Sequence, residues 1–403
     1  MNPLLATLQP YPFERLRQLF TGVTPPSHLA HISLGIGEPK HATPEFIKKA
    51  LIGSLDAALS GYPATAGELR MREACAQWLM RRYGIEINAA SQILPVNGSR
   101  EALFSLAQAV LDPTQPGARV VSPNPFYQIY EGATLLGGAE PFYVANAPEN
   151  DFSADWDAVP SEVWSKTQLV FVCSPGNPTG KVMPLNEWQK LFELSEKYGF
   201  VIASDECYSE IYFREEAPLG GLEAASLLGH KDFKRLIAFT SLSKRSNVPG
   251  LRSGFVAGDA NIIKDFLLYR TYHGCAMSGV VQTASIAAWN DEAHVIENRN
   301  LYRAKFSQVT PVLSKVMDVQ LPDASFYLWA GVPAVWHKSD TDFARELYAT
   351  ENVTVLPGSY IGRTVDGKNP GQGRVRMALV AETAECLEAA ERIARFIRAG
   401  RPT

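Results

Sequence analysis

Lys244 stands just after a strand-like apolar run, among small hydroxyl residues, in the segment F-T-S-L-S-K-R-S-N-V-P-G-L-R-S-G at residues 239–254. A poorly solvated lysine at such a position has a lowered pKa and offers its free amine as a nucleophile. Arg252 lies beyond a glycine bend, so its planar guanidinium can return to the same place and bind a phosphate group. Most single lysines are solvated loop residues, so this interpretation depends on what accompanies Lys244.

Two other polar motifs directly follow strand-like runs. The turn S-P-G-N-P-T-G at 174–180 comes after Leu169–Cys173, and the amide of its Asn177 can donate to a ring oxygen. Asp205 comes after Phe200–Ser204 and, once buried, needs a cationic partner such as a protonated pyridine nitrogen. A helix N-cap is the ordinary alternative for such an aspartate. Because open α/β sheets bind ligands at the carboxyl ends of their strands, both motifs indicate one site.

A fourth motif, V-N-G-S-R-E at 96–101, leads into the helical pattern Glu101–Leu111. Free backbone N–H groups and the positive end of the helix dipole make such a start an anion site. Each motif is common by itself. Together they supply an amine with a nearby arginine, an amide donor, a carboxylate and an anion cradle, which are the groups that pyridoxal 5′-phosphate requires.

The elements that must position these motifs alternate between strands and helices. The strand-like runs are short and almost wholly apolar, which is typical of strands buried on both faces; they are Arg119–Ser122, Leu169–Cys173, Phe200–Ser204, Leu236–Thr240 and Gly254–Ala257. Helical patterns separate them, for example Leu185–Tyr198, which Gly199 should end as a left-handed cap. The alternation predicts an α/β fold with a mostly parallel sheet covered by helices.

The chain is expected to divide into three segments. Residues 1–45 should join a small domain, residues 46–290 should form a large domain that contains the motifs, and residues 291–403 should form a smaller α+β domain. A long amphipathic helix at about residues 290–316 is the expected hinge element. The remaining C-terminal patterns predict a strand-like alternation at 319–330, a helix at 342–350, strands at 353–356 and 374–379, and a final helix at 384–399.

Composition excludes several classes of protein. The 403 residues are 46% hydrophobic, enough for a large core, and 38 Lys and Arg against 42 Asp and Glu leave a net charge of −4. This balance gives no compositional case for binding nucleic acid or an anionic membrane. No apolar run approaches the ~20 residues of a membrane-spanning helix, and residues 1–10 do not resemble a signal peptide. Five scattered cysteines predict a reducing compartment, the cytosol, and neither disulfides nor a metal site.

Taken together, the motifs resemble those of the class I/II aminotransferases of fold type I, over about residues 32–378. The patterns S-x-S-K-x-x-x-x-x-G-x-R-x-G and S-P-G-N-P-T-G are highly specific to that family. The resemblance implies a pyridoxal phosphate cofactor and a mostly parallel seven-stranded sheet in the large domain. It also implies that Lys244 binds the cofactor covalently and later carries a proton, with Asp205 on the ring nitrogen and Asn177 and Tyr208 on the ring oxygen.

The resemblance implies the remaining cofactor contacts as well. The residues expected around its phosphate are Gly98, Ser99, Arg100, Ser241, Ser243 and Arg252. Tyr127 falls where the family places a ring that stacks on the cofactor, a place where many relatives have tryptophan. Tyr62, in the segment G-Y-P, matches the tyrosine that reaches the neighbouring subunit's phosphate, which implies a homodimer with shared active sites. A turn aromatic is the plain alternative for Tyr62.

Two further matches concern the substrate. Arg376 in R-V-R-M should bind the α-carboxylate through a pair of hydrogen bonds, with Arg374 as its rival on the same face of a strand. Gly37 should turn a backbone N–H toward that carboxylate, and the resemblance also places Asn177 beside the substrate.

One motif departs from the common family pattern. Most relatives read G-x-P-D-F where this chain has G-E-P-K-H-A-T-P at 37–44, so Lys40 and His41 are the changed positions. This form is similar to that of the proteobacterial succinyldiaminopimelate transaminases of lysine biosynthesis. Lys40 would then pair with a distal carboxylate of the acceptor; the alternative is that Lys40 and His41 are solvated loop residues.

The implied reaction transfers an amino group from glutamate to N-succinyl-2-amino-6-oxopimelate and releases 2-oxoglutarate. An aspartate, alanine or aromatic aminotransferase and a C–S lyase are alternatives on the same scaffold. A regulatory binding module without catalysis is the alternative from a different class, and intact Lys244, Asp205 and Arg252 argue against it.

Overall fold

The computed structural model describes residues 1–334 and 339–400. Of the segment predicted as a small domain, residues 335–338 and 401–403 lie outside the described residues. The described strands are β1 Ile32–Ser33, β2 Ile93–Val96, β3 Arg119–Asn124, β4 Glu140–Ala145, β5 Thr167–Cys173, β6 Val201–Asp205, β7 Leu236–Ser241, β8 Gly254–Gly258, β9 Tyr327–Gly331, β10 Val353–Thr354, β11 Leu356–Pro357 and β12 Arg374–Ala378.

Helices cover and connect these strands. The described α-helices are α1 Pro12–Leu19, α2 Glu45–Gly53, α3 Leu55–Ala58, α4 Leu69–Tyr83, α5 Ser99–Val110, α6 Ile129–Leu136, α7 Ser161–Trp164, α8 Leu185–Tyr198, α9 Gly221–Leu227, α10 Leu242–Arg245, α11 Ala260–His273, α12 Gly279–Trp289, α13 Ala293–Leu313, α14 Asp340–Glu351 and α15 Thr383–Ala399. The predicted bounds of α8 are confirmed, and Gly199 ends this helix with a left-handed φ of 84°. In the part of the chain that the structure describes, no helix has the length and apolar character needed to cross a membrane.

A seven-stranded sheet forms the centre of the molecule, in the order β2-β8-β7-β6-β5-β3-β4. Its strands are parallel except β8, which runs antiparallel to both β2 and β7. Alternate residues of β5 enter different cores: Val170 and Val172 pack on one face, and Leu169 and Phe171 pack on the other. The sheet is therefore buried on both faces, as its apolar strands predict, and the predicted α/β fold class is confirmed.

The sequence patterns did not indicate β2 and β4, which are the two edges of this sheet. Each of them contains a proline, Pro95 in β2 and Pro141 in β4. Proline lacks a backbone donor and is tolerated at sheet edges, where one side of the strand needs no partner. In both strands the proline interrupts the run of strand-forming residues that identifies the central strands.

The C-terminal region contributes a separate antiparallel sheet in the order β11-β12-β9. The predicted alternation at 319–330 was too long, since only β9 forms a strand there and residues 320–326 have no regular structure. The predicted strand at 353–356 divides between two sheets, because β10 pairs with β1 and β11 pairs with β12. The pairing of β1 with β10 attaches the N-terminal segment to this region, and Ile32 and Leu34 belong to the same hydrophobic core as Tyr302 of the long helix α13.

Candidate active site

A cavity of about 930 Å³ opens where the carboxyl ends of β5, β6 and β7 meet the C-terminal sheet. It brings together residues from all four sequence motifs. Every cofactor or substrate residue predicted above lines this cavity except Gly98, Lys40, Tyr62 and the alternative arginine, Arg374. The neighbouring registers of β5, β6 and β7 place Cys173 beside Asp205 and Asp205 beside Phe239, so the motifs that follow these strands emerge at one edge.

Lys244 owes its position to the end of β7. The Ser241 hydroxyl accepts a hydrogen bond from the backbone N–H of Ser243, which caps the short helix α10 and places Lys244 in its first turn. The Lys244 Nζ donates to the Gly37 carbonyl at 2.6 Å. Burial, together with the charge of Arg376, lowers the pKa of Lys244 to about 8. An amine with this pKa is partly neutral near physiological pH and is therefore suited to attack an aldehyde and to accept a proton.

Asp205 is the last residue of β6 and is buried. The Tyr130 hydroxyl donates to its Oδ2 at 2.7 Å, and the Cys207 backbone N–H donates to its Oδ1 at 3.4 Å. Burial raises the pKa of the Asp205 carboxyl, because these neutral donors compensate only part of its lost hydration. A buried carboxylate with neutral partners fits a protonated ring nitrogen, which supplies the missing positive charge.

Gly98 shapes the anion cradle although it does not line the cavity. Its φ is +85°, and a Cβ atom there would lie 2.4 Å from the Arg252 Nη2. Only glycine therefore lets the guanidinium of Arg252 approach the start of α5, where Ser99 is the first helical residue. An arginine beside the unpaired backbone donors of a helix N-terminus fits a phosphate group.

The structure separates the two candidate arginines of β12. Arg376 lies in the cavity, where its Nη1 donates to the Asn177 Oδ1 and its Nη2 donates to the Gly35 carbonyl, both at 3.0 Å. Its buried Nε has no hydrogen-bond partner among the residues that the structure describes. Arg374 instead pairs with Asp318 at 2.7 Å, outside the cavity. Arg376 is thus the arginine of this strand that is available to a carboxylate in the cavity.

Two tyrosines that the sequence interpretation missed support the predicted residues. Tyr327 lies beneath Arg376, with its ring centroid 4.2 Å from the guanidinium carbon, and its hydroxyl is 3.0 Å from that of Tyr208. A Cβ atom on Gly37 would lie only 1.9 Å from this hydroxyl, so the position requires glycine. Tyr130 is the second residue of α6 and follows Tyr127, which precedes the helix, by three residues; the two rings pack edge to face with centroids 5.8 Å apart. This short spacing is the one sequence signal that could have linked Tyr130 to the predicted residue.

Tyr127, the predicted stacking residue, lies on the cavity wall. The Arg100 Nε donates to its hydroxyl at 2.6 Å. Lys40 lies elsewhere: its Nζ is 3.9 Å from Glu385 at the surface, so its position does not support the expected contact with a substrate. Tyr62 is fully exposed in the single chain and outside the cavity.

The family model of aminotransferase class I and II matches residues 30–393, and the chain belongs to this family. An LL-diaminopimelate aminotransferase of Nitratidesulfovibrio vulgaris (strain DP4) is 34% identical over 395 residues, which are 97% of this chain and 98% of the relative. The crystal structure of an aminotransferase from Neisseria meningitidis Z2491 has a TM-score of 0.95 and 56% identity, and the match covers 99% of this chain and 100% of that one. A probable N-succinyldiaminopimelate aminotransferase from Thermus thermophilus has a TM-score of 0.81 and 27% identity, over 95% of this chain and 99% of that one.

The family depends on pyridoxal phosphate, so the predicted cofactor is confirmed, as is the membership that the motifs indicated. The cavity fits this group. The cradle at Gly98 and Arg252 suits its phosphate, the buried Asp205 suits its ring nitrogen, and the lowered pKa of Lys244 suits its aldehyde.

Proposed function

We propose that this aminotransferase moves an amino group from glutamate to N-succinyl-2-amino-6-oxopimelate, a reaction of diaminopimelate and lysine biosynthesis in the cytosol. The observation that carries the proposal is the convergence of Lys244, Asp205 and Arg376 on one cavity that also contains Arg100. Lys244 and Asp205 are the groups that transamination requires. Arg376 and Arg100 supply positive charges that can bind acidic substrates.

The chemistry divides between the cofactor and the chain. When bound, pyridoxal phosphate supplies a ring that accepts the electron pair of a broken bond at the substrate α-carbon. Lys244 accepts the α-proton, since its pKa of about 8 leaves part of the amine neutral. Asp205 holds a proton on the ring nitrogen. Asn177 keeps its amide Nδ2 for the ring oxygen, because its Oδ1 already accepts from Arg376.

Arg376 binds the carboxylate next to the reacting carbon. Glutamate and the proposed acceptor both have a carboxylate at this place, so one arginine serves both halves of the reaction. The hydrogen bonds to Asn177 and Gly35 and the ring of Tyr327 fix the guanidinium before a substrate arrives. Such preorganisation reduces the entropy lost on binding.

Arg100 supports an acceptor with a distal acid. It lines the cavity, and within the described residues its guanidinium bonds to Tyr127 and is not paired with a carboxylate. The proposed acceptor has carboxylates at its far end and an acylated nitrogen, which has no positive charge. Free LL-diaminopimelate has an ammonium group there, and a cation in the cavity would repel it.

A second candidate is transamination of unmodified LL-diaminopimelate. The names of relatives such as the Nitratidesulfovibrio vulgaris enzyme favour it. The two candidate substrates differ in the succinyl group on the distal nitrogen, which removes an ammonium charge and adds a carboxylate. They are separated by comparing N-succinyl-LL-diaminopimelate with LL-diaminopimelate as donors to 2-oxoglutarate.

The experiment measures glutamate formation from both donors, with aspartate, alanine and phenylalanine in the same panel. We expect kcat/KM to be highest for the succinylated donor, and Arg100→Met to lower that value about tenfold, the usual size for a lost ionic hydrogen bond, while glutamate itself is less affected. Turnover of unmodified LL-diaminopimelate alone would favour the second candidate. Release of ammonia and pyruvate from a thioether substrate, without any glutamate, would favour a lyase.

We also propose that the chain acts as a homodimer in which Tyr62 completes the partner's site. Tyr62 is exposed in the single chain, as are two apolar side chains close to it in the sequence, Ile52 and Leu59. Mixing inactive Lys244→Ala with Tyr62→Ala tests this. One site of the hybrid dimer would regain both residues, so activity should recover on mixing; no recovery, or a monomer by light scattering, would contradict the proposal.

A further inference from the structure

The segment from Ile32 to His41 contacts two ionic side chains of the cavity through its backbone. The Gly35 carbonyl accepts from Arg376 at 3.0 Å, and the Gly37 carbonyl accepts from Lys244 at 2.6 Å. The pairing of β1 with β10 holds the first part of this segment. The anchor at its other end therefore helps to decide where these two carbonyls lie.

His41 is that anchor. The donor and the acceptor in each of its side-chain hydrogen bonds can be assigned from the partners. The Lys305 Nζ lies 3.0 Å from the His41 Nε2, and since an ammonium group only donates, Nε2 accepts. The proton of the neutral ring is then on Nδ1, which donates to the Asn298 Oδ1 at 2.9 Å. The Asn298 Nδ2 in turn donates to the Lys244 backbone carbonyl at 3.2 Å.

The surroundings favour this arrangement. Lys305 is only 1% exposed, so its ammonium group depends on the acceptor that His41 provides. The His41 ring packs at 4.6 Å from the ring of Tyr302, which lies on α13 like Asn298 and Lys305. Burial, and in addition the charge of Lys305, lowers the pKa of His41 and keeps its ring neutral.

We propose that His41 is a positioning residue for catalysis: with Asn298 it fixes the Lys244 turn and the carbonyls of Gly35 and Gly37 relative to α13. This assigns a role to the departure from the common G-x-P-D-F pattern, because phenylalanine would pack on Tyr302 but make none of these bonds. The inference rests on the role proposed for Lys244.

The test uses variants that separate positioning from stability. His41→Phe keeps an aromatic ring and removes the bonds, but it leaves Lys305 buried without an acceptor. The double variant His41→Phe/Lys305→Met also removes that charge, so most of the lost stability should return while the link to Asn298 stays broken. His31→Phe is the matched control, because the His31 Nε2 bonds to Thr354 at 2.9 Å and His31 does not line the cavity.

Three quantities are measured for each variant: the thermal unfolding midpoint, KM and kcat with glutamate, and the rate at which apoenzyme captures pyridoxal phosphate covalently, followed by absorbance. We expect the double variant to unfold near the wild-type temperature, while kcat/KM and the capture rate each fall about fivefold to tenfold, the size of one lost hydrogen bond. His31→Phe should match wild type in both rates.

Asn298→Asp provides a second route if the double variant unfolds early. It keeps an acceptor for His41 but cannot donate to the Lys244 carbonyl, so the same fivefold loss is expected. The positioning role would be overturned if the double variant recovered both rates together with its stability. Normal rates in Asn298→Asp would overturn it as well. If wild type itself does not turn over glutamate, the proposed function fails, and the capture rates still decide this inference.

Discussion

The two sides of the active-site cavity are built in different ways. On the cofactor side, Asn177, Asp205 and Lys244 each lie at or just after the end of a strand of one sheet, so the strand register sets their spacing. On the substrate side, Arg376 is held by the carbonyl of Gly35, which is 341 residues away along the chain. Short local motifs therefore encode the cofactor side, whereas tertiary packing of distant segments assembles the substrate side.

This difference has a kinetic consequence. Changes on the cofactor side remove groups that act on the reacting bonds, so they should lower kcat. Changes on the substrate side remove groups that bind both substrates, so they should raise KM. The variants described next test whether changes on the cofactor side lower kcat and changes on the substrate side raise KM.

Lys244→Ala should have the largest effect. Turnover with glutamate should fall about 10⁴-fold, because the amine that accepts the α-proton is lost. The phosphate cradle at Gly98 and Arg252 is unchanged, so pyridoxal phosphate should still bind without a covalent link. Lys181→Ala is the matched control, since Lys181 follows the turn at 174–180 and pairs with Asp151. Normal turnover by Lys244→Ala would contradict its assigned role.

Asp205→Asn should come next, with kcat lower by about 10²–10³-fold, a typical loss when one electrostatic contact to the reacting group is removed. The amide oxygen can still accept from Tyr130, so the site should keep its shape and bind cofactor. Steady-state kinetics together with the absorbance of bound cofactor measure both properties. Unchanged turnover would remove the electronic role of Asp205.

The pH dependence of cofactor capture tests the environment of Lys244. Burial lowers its pKa to about 8. Only the neutral amine attacks the aldehyde, so capture of pyridoxal phosphate by apoenzyme should rise about 50-fold from pH 6 to pH 8 and then level off about twofold higher by pH 10. Stopped-flow absorbance between pH 6 and pH 10 measures this rate. A continued rise toward pH 10 would mean that the amine is solvated.

Arg376→Ala tests the substrate side. KM should rise about 10-fold to 100-fold for glutamate and for the acceptor, as expected when ionic hydrogen bonds to a carboxylate are lost. Arg374→Ala is the control in the same strand, because Arg374 pairs with Asp318 outside the cavity. An increase for one substrate only would show that Arg376 does not bind the carboxylate that the two substrates share.

Tyr327→Phe should have the smallest effect, a loss of about fivefold in kcat/KM, the size of one neutral hydrogen bond. The ring stays beneath Arg376, and only the contact with the Tyr208 hydroxyl is removed. A loss as large as that of Arg376→Ala would show that this hydroxyl, rather than the guanidinium, organises the substrate side.

Sequence reasoning predicted the cofactor side because its signals are local. The buried strands β5, β6 and β7 are continuous apolar runs, and three of the four polar motifs come at the ends of these strands, whereas the motif at 96–101 follows β2. The edge strands β2 and β4 were missed for the opposite reason, since Pro95 and Pro141 interrupt their pattern. All four residues of β2 are buried, so its proline and its shortness concealed it, whereas in β4 only Val144 is buried and the apolar pattern is also weaker.

The substrate side was harder to predict because a short sequence motif does not show in which direction a side chain points. Arg374 and Arg376 are two residues apart on β12 and therefore share a face of the strand, yet one pairs with Asp318 and the other enters the cavity. Lys40 was expected at the substrate and lies by Glu385, while its neighbour His41 contacts α13. These outcomes depend on the packing of β9, β12 and α13 against the N-terminal segment.

The most direct test of the account is chemical trapping of the cofactor. Loaded enzyme is reduced with borohydride, digested and examined by mass spectrometry, with Lys244→Ala treated in parallel. We expect a single pyridoxyl phosphate adduct, on the peptide that contains Lys244, and no adduct on the corresponding peptide of the variant. An adduct on another lysine of the wild-type enzyme, or none at all, would contradict it.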